Sequence, residues 1–516
     1  MTLIPIECKT KSILPPKISW LCVNKVVKSS TLVASAEMKI KEDVNYKKAL
    51  VLAKQKGWDL VLTNKTGIKA YLVGVFEDGL PKYYTTYNNT IAAATTRANQ
   101  LWAGGASGLN LSGSSDNMKN KLAIWDGGKV LSTHVELIGR ITQVDAPSSF
   151  SDHATHVTGT MIATGINPVA RGMAYGIQGI LAYDFSNDVS EITSVASKIV
   201  LSNHSYGIIS GWYYNSSPSD GSAARWEFRG RSTDNEDYKF GYYDAVAKQF
   251  DDIAYNAPFY LIVKAAGNNR NTNGPAVGSP YFRYDASGTM DSAGNRPVGL
   301  SSNDTYDIIP TDANAKNILT VGAVNGIATG YNNPNDVIIS AFSSWGPTDD
   351  GRIKPDLVAD GVNVTSSIAS GNSDYASFSG TSMSTPNTTG SLLLLQEYYS
   401  QLKAGTFMRS ATLKGIALHT AEEAGDAPGP DYRFGWGLLN VEKGAAVIKA
   451  AITSNNAATS EHLLYENNLA NGGSFTKTVI ASGKGQLSAT ICWTDVSGAV
   501  TASASAFTRR NHSFSK

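Results

Sequence analysis

Short apolar runs alternate with helical patterns through the middle of this 516-residue chain. Leu122-Ala123-Ile124-Trp125, Gly179-Ile180-Leu181-Ala182-Tyr183, Ile199-Val200-Leu201, Phe259-Tyr260-Leu261-Ile262-Val263 and Ile318-Leu319-Thr320-Val321 read as buried parallel strands. Residues 154–163, 191–198 and 242–255 between them read as helices. The alternation predicts an α/β fold, a mostly parallel sheet with helices on both faces. Ligands in such sheets bind beyond the carboxyl ends of the strands. Ahead of this body, residues 41–56 predict an amphipathic helix and 70–76 a strand. Glu77-Asp78-Gly79-Leu80-Pro81 supplies turn chemistry, and 82–87 returns as a second strand. After residue 450 the helical pattern fades, and 474–480 and 487–493 alternate with period two, as strands do. Residues 210–240 and 269–312 read as long loops of functional type. Three regions follow: a small α+β segment at 1–90, the main body at 91–450 and a partial β-module at 451–516.

Composition narrows the class. With 44 Lys+Arg against 43 Asp+Glu, the net charge of +1 gives no reason to expect a nucleic acid or an acidic membrane as partner. No apolar run is long enough to span a membrane. Residues 18–23 are too short for the apolar core of a signal peptide, and Asn24-Lys25 interrupts them. Low charge with abundant Gly, Ser, Thr and Asn fits a rigid secreted enzyme, so the expectation is export by another route or a start lying upstream. The three cysteines are Cys8, Cys22 and Cys492, so the body is neither a disulfide framework nor a Cys-based zinc site. Cys8 and Cys22 are free thiols or a pair.

The chemistry sits in four segments. Gly380-Thr381-Ser382-Met383-Ser384-Thr385-Pro386 precedes a run of strong helix formers, and Pro386 fits a first helical turn. Ser382 is therefore expected at a helix N-terminus, where backbone N–H groups face outward and an oxyanion site is half built. A serine nucleophile needs a base. Asp152-His153-Ala154-Thr155-His156 offers two histidines; His153 is assigned as the base and His156 as a buried structural residue. Asp126 ends a buried strand and is followed by two glycines, which suits an orienting carboxylate. Asn268, in Ala265-Ala266-Gly267-Asn268, offers a side-chain N–H to a developing oxyanion.

The order Asp126, His153, Asn268, Ser382 matches the Asp–His–Ser order of subtilisin. The sequence resembles the subtilase family of serine peptidases. His153–Thr160 follows the family's histidine motif with Ala154 and Thr158 substituted. Ala265–Asn268 is intact, the serine motif departs only at Ser384, and the aspartate motif departs at Gly127. Phe342–Pro347, Lys354–Leu357 and Gly435–Asn440 extend the likeness, which runs from about 95 to 450. The resemblance implies a subtilisin-like three-layer sandwich and a broad-specificity serine endopeptidase, secreted and monomeric, acting on proteins or peptides. It implies a substrate strand beside Ser205-Tyr206-Gly207, with Phe185–Asp188 on the other edge, and an S1 wall of Ala265, Ala266 and Gly267. It implies structural Ca2+ with no ligands assigned, because Asp234–Asp237 and Asp349-Asp350 read as solvated acidic loops. By position, 1–90 is a prosegment. Ile491–Asp495 resembles an early strand of the β-sandwich that follows some bacterial subtilase domains, and an incomplete sandwich is expected to aggregate.

Overall fold

The computed structural model describes residues 20–63, 69–86, 91–453, 462–470, 472–479 and 487–500. In chain order the elements begin with α1 (Trp20–Lys56), β1 (Val61–Thr63), β2 (Lys69–Val75) and β3 (Pro81–Thr86). They continue with β4 (Leu122–Asp126), β5 (Ile141–Gln143), α2 (Asp152–Ile162), β6 (Ile180–Asp184), α3 (Asp188–Val195), β7 (Leu201–His204) and β8 (Tyr206–Ile208). Next come β9 (Trp212–Asn215), β10 (Arg225–Phe228), α4 (Ala245–Asn256), β11 (Leu261–Ala265), β12 (Pro280–Tyr284), β13 (Met290–Asn295) and β14 (Leu319–Val324). The last are β15 (Leu357–Asp360), β16 (Val364–Ser367), β17 (Tyr375–Phe378), α5 (Thr381–Leu402), α6 (Ser410–His419) and α7 (Val441–Thr453).

Seven strands form the central sheet in the order β15-β14-β11-β7-β4-β6-β5, and every pair is parallel. Alternation along β4 divides the core. Leu122 and Ile124 pack with Val157 of α2, Leu392–Leu395 of α5, Leu413 of α6 and Ile448 of α7. Ala123 and Trp125 pack with Ile192 of α3 and Phe250 of α4. Both faces are therefore covered, as the uninterrupted apolar strands require. Burying one such large apolar side chain is worth roughly 1.5–3 kcal/mol. Helix starts follow local chemistry: the Ser151 hydroxyl accepts from Ala154 N at 3.0 Å, and the Asp244 carboxylate accepts from Ala247 N at 2.8 Å.

Two expected loops are structured. Part of 210–240 and of 269–312 folds into a second sheet, β13-β12-β10-β9. Its Tyr213 and Tyr284 join Ala49, Ala53, Trp58, Leu62, Leu72, Val75, Leu80 and Tyr83 in one apolar cluster, so the inserted sheet and the N-terminal segment share a core. Polar contacts seal the joint. Trp58 Nε1 donates to Gly288 O at 2.9 Å, Tyr83 Oη to Asp59 O at 2.5 Å and Asn215 Nδ2 to Asp59 Oδ2 at 2.9 Å. Ser219 N donates to the other Asp59 oxygen. The amphipathic stretch over 41–56 extends into the longer α1, whose Glu42 accepts from Val189 N and Ser190 N at the start of α3.

The strands expected over 474–480 and 487–493 are absent from the described residues, which hold no regular structure between 462 and 500. A strand exists only against a partner, and no described strand pairs with these segments. Cys8, the Cys22 side chain and the tail from 503 lie outside the described residues.

Candidate active site

β4, β7 and β11 lie side by side and in parallel, so their carboxyl ends share one edge of the sheet. Asp126 ends β4, Ser205 follows β7 and Asn268 stands just past β11. α2 and α5 begin at the same edge and bring in His153 and Ser382. The strand-end rule for α/β sheets thus describes this site.

Asp126 is 1 % exposed. Its Oδ1 lies 2.7 Å from His153 Nδ1 and also accepts from Gly127 N at 2.8 Å. The proton on Nδ1 leaves Nε2 as the basic nitrogen of a neutral imidazole. Trp125 holds the end of β4 by stacking between Tyr183, at 4.5 Å, and His204, at 5.3 Å. Gly128 has φ +97°, and a side chain there would meet Ser149 O at 3.0 Å. The turn after Asp126 therefore depends on its second glycine, while its first offers a backbone N–H.

His156 behaves as assigned. It is fully buried, and Nε2–H donates to Val364 O at 3.1 Å and Ala376 O at 3.3 Å. Burial, with the neighbouring His153, pushes its pKa down to about 3, which keeps it neutral.

Ser382 is the second residue of α5. Its hydroxyl donates to Ser205 O at 2.9 Å. Pro386 lies one turn deeper than the sequence suggested. Its missing N–H is the one that would have bonded Ser382 O, and the Ser205 hydroxyl takes that place at 2.7 Å. Ser205 is thus tied to Ser382 twice, through its carbonyl and through its hydroxyl. Sequence reading assigned Ser205 to the substrate strand and missed this second role; a proline six residues into a helix was the available signal.

Asn268 Oδ1 accepts from both Thr381 N and Thr381 Oγ1, each at 2.8 Å. With the amide oxygen engaged, the amide N–H groups are left as donors beside Ser382. A small pocket at Ser382 is lined by Tyr206, Gly207, Ala265, Gly267, Asp312 and Ser382 among others. Ala265 and Gly267, which the resemblance assigns to the S1 wall, line this pocket. Ala266 does not: it is fully buried and packs behind the wall with Ile309 and Ala313. Tyr206 and Gly207 lie on β8, whose edge is already paired. β3 runs antiparallel to it, with Thr86 opposite Tyr206 and Thr85 opposite Gly207. The N-terminal segment thus lies where an added strand was expected.

The acidic runs are only in part solvated. Asp234 and Asp237 are 4 % and 1 % exposed and pair with Arg231 and Lys239. Asp350 pairs with Arg352. Among the described residues no cluster of three or more His, Cys, Asp or Glu is arranged to hold a metal ion. Among the described residues no helix is long and apolar enough to cross a membrane.

A stretch of the C5a peptidase of Streptococcus pyogenes is 35 % identical over 153 residues, covering 27 % of this chain and 12 % of that protein. The serine protease/ABC transporter B family protein tagD of Dictyostelium discoideum is 28 % identical over 205 residues, covering 31 % of this chain and 11 % of that protein. The chain thus spans only a small part of the length of these relatives. Among solved structures, the patellamide maturation protease PatA is 20 % identical, with a TM-score of 0.41 over 64 % of this chain and 97 % of that one. The prenylagaramide maturation protease PagA is 17 % identical, with a TM-score of 0.44 over 68 % and 98 %. Residues 69–437, well over half the chain and containing all four catalytic-type segments, match Peptidase S8, the subtilase family, and the chain belongs to that family of serine peptidases.

Proposed function

We propose that this chain is a serine endopeptidase that cleaves peptide bonds through an acyl-enzyme. His153 Nε2 takes the hydroxyl proton as Ser382 attacks the carbonyl carbon. Asp126 holds the imidazole in the required tautomer and stabilises the imidazolium. Asn268 Nδ2 and the Ser382 N–H receive the oxyanion. His153 then protonates the leaving amine, and water attacks the ester by the same path in reverse. The observation that carries the reading is the 2.7 Å Asp126–His153 bond at the sheet edge that also holds Ser382 and Asn268. An extended substrate would pair with β8.

The N-terminal segment is proposed to be a prosegment that keeps the enzyme latent. The pairing of β3 with β8 supports this, because a substrate strand needs the same edge. The test compares wild type with Ser382→Ala on casein and on matched peptide amides and esters. Amide cleavage lost in Ser382→Ala supports the peptidase. Ester cleavage without amide cleavage by folded wild type rejects it.

A further inference from the structure

β3 lies along β8 as an extended peptide would, and one of its side chains reaches past the cleft onto the inserted sheet. The ladder pairs Thr86 with Tyr206, Thr85 with Gly207 and Tyr84 with Ile208. One step further, Ile209 N donates to Tyr83 O at 3.0 Å. In the other direction β8 leads back to Ser205, whose carbonyl and hydroxyl both bond Ser382. A strand in this register brings to the nucleophile the residue that faces Ser205. The residue in the place of Tyr83 is then the fifth, counted back from the scissile bond.

Tyr83 is 2 % exposed. It shares an apolar cluster with Ile209, with Tyr213 of β9 and with Tyr284 of β12. The guanidinium of Arg229, just past β10, lies 5.2 Å from its ring centre. Arg229 is itself buried and fixed: Nη1 donates to Tyr284 Oη at 2.7 Å, and Nη2 pairs with Glu227. The charges around it are matched. Glu227 also accepts from Arg225 Nε at 2.8 Å, and Arg225 pairs with Asp220 at 2.7 Å. Lys239 and Asp237 pair with each other at 2.8 Å. An acidic or basic side chain would therefore be desolvated there without a free counter-charge. An aromatic face gains from the guanidinium and needs none. The Tyr83 hydroxyl bonds Asp59 O, which belongs to the N-terminal segment, so the body of the protein contacts the ring and not the hydroxyl.

We infer that Ile209, Tyr213, Arg229 and Tyr284 form a substrate subsite for an aromatic side chain at the fifth residue back from the scissile bond. Tyr83 fills this subsite while the N-terminal segment covers β8. The inference rests on the peptidase reading and on that segment leaving β8. Because successive side chains of a strand point to opposite faces, the preference belongs to that one position.

The test uses the full-length chain and acetylated hexapeptide anilides of one fixed sequence. The fifth residue back is phenylalanine, tyrosine, leucine or glutamate, and a second set compares phenylalanine with leucine at the fourth or sixth. The readout is a ratio of kcat/KM values, which does not depend on the fraction of chain in active form. We expect phenylalanine over leucine by about fivefold at the fifth residue, tyrosine equal to phenylalanine, glutamate poorest, and a ratio near one at the fourth and sixth. Arg229→Met with Glu227→Gln removes the guanidinium and its paired charge together, keeps an acceptor for Arg225, and should bring the fifth-residue ratio to about one. Uptake of a phosphonate at Ser382 shows that this variant is folded; where it takes up none, the wild-type series decides alone. A wild-type ratio near one, a preference for glutamate, an equal ratio at the neighbouring positions, or a ratio unchanged in the folded variant overturns the inference and leaves the peptidase intact. Phosphonate uptake by wild type without cleavage of any peptide also overturns it, since β8 then admits no substrate strand. Neither cleavage nor uptake removes the peptidase reading and this inference together.

Discussion

At the scale of single residues, Ser205, Ser382 and Pro386 form a closed unit. The proline frees the Ser382 carbonyl and the Ser205 hydroxyl satisfies it. Ser205→Ala should leave that buried carbonyl unpaired and destabilise the protein by about 1–3 kcal/mol. Adding Pro386→Ala restores the helical donor and should recover much of the loss, which a double-mutant cycle in urea would measure. Equal loss in both variants would show that the carbonyl has another donor. Asn268→Ala keeps the fold of the strand end but removes a donor to the oxyanion, so kcat should fall about 10²–10³-fold with little change in KM. His156 sets a pH dependence. Its folded pKa is about 3 against 6.5 for the free side chain. Between those values the unfolded chain binds a proton that the folded chain refuses. Stability from this group is therefore complete above pH 6.5 and falls as pH drops towards 3, by at most about 1.4 kcal/mol per pH unit. His156→Gln should flatten that slope in acid-unfolding curves.

At the scale of elements, five of the seven strands of the central sheet were legible as apolar runs, whereas β5, a partly exposed edge strand, and the short β15 were not read as strands. β4 is buried at all five positions and reads as a continuous apolar run. The segments that carry Asp126, His153 and Ser382 were legible because each couples a strand end or helix start to small residues. The inserted sheet was not. β13 carries Met290-Asp291-Ser292-Ala293-Gly294-Asn295, a polar edge with no alternation to detect, and is held by its pairing with β12. The same holds for the joint between that sheet and the N-terminal segment, where several of the polar contacts beside the shared apolar cluster meet at Asp59, a single acid in an otherwise ordinary turn. Asp59→Ala removes the acceptor of Asn215 and Ser219. Amide hydrogen exchange should then rise in β2 and β3 while β4, β7 and β11 stay protected. Equal deprotection of the central sheet would show that the two parts unfold as one.

At the scale of the whole molecule, one parallel sheet gathers four distant segments at one edge, and an N-terminal segment covers part of that edge through β8. Among the described residues after 450 the expected strands are absent, because period-two alternation states which face is apolar but supplies no partner. The central claim is that Ser382 is an activated nucleophile, with His153 and Asp126 behind it. The most direct measurement is reaction with a fluorophosphonate followed by peptide mapping of the adduct. The account requires a single adduct on Ser382, absent in Ser382→Ala and strongly slowed in His153→Ala. Folded wild-type protein that takes up no label, or takes it up elsewhere than Ser382, would contradict it.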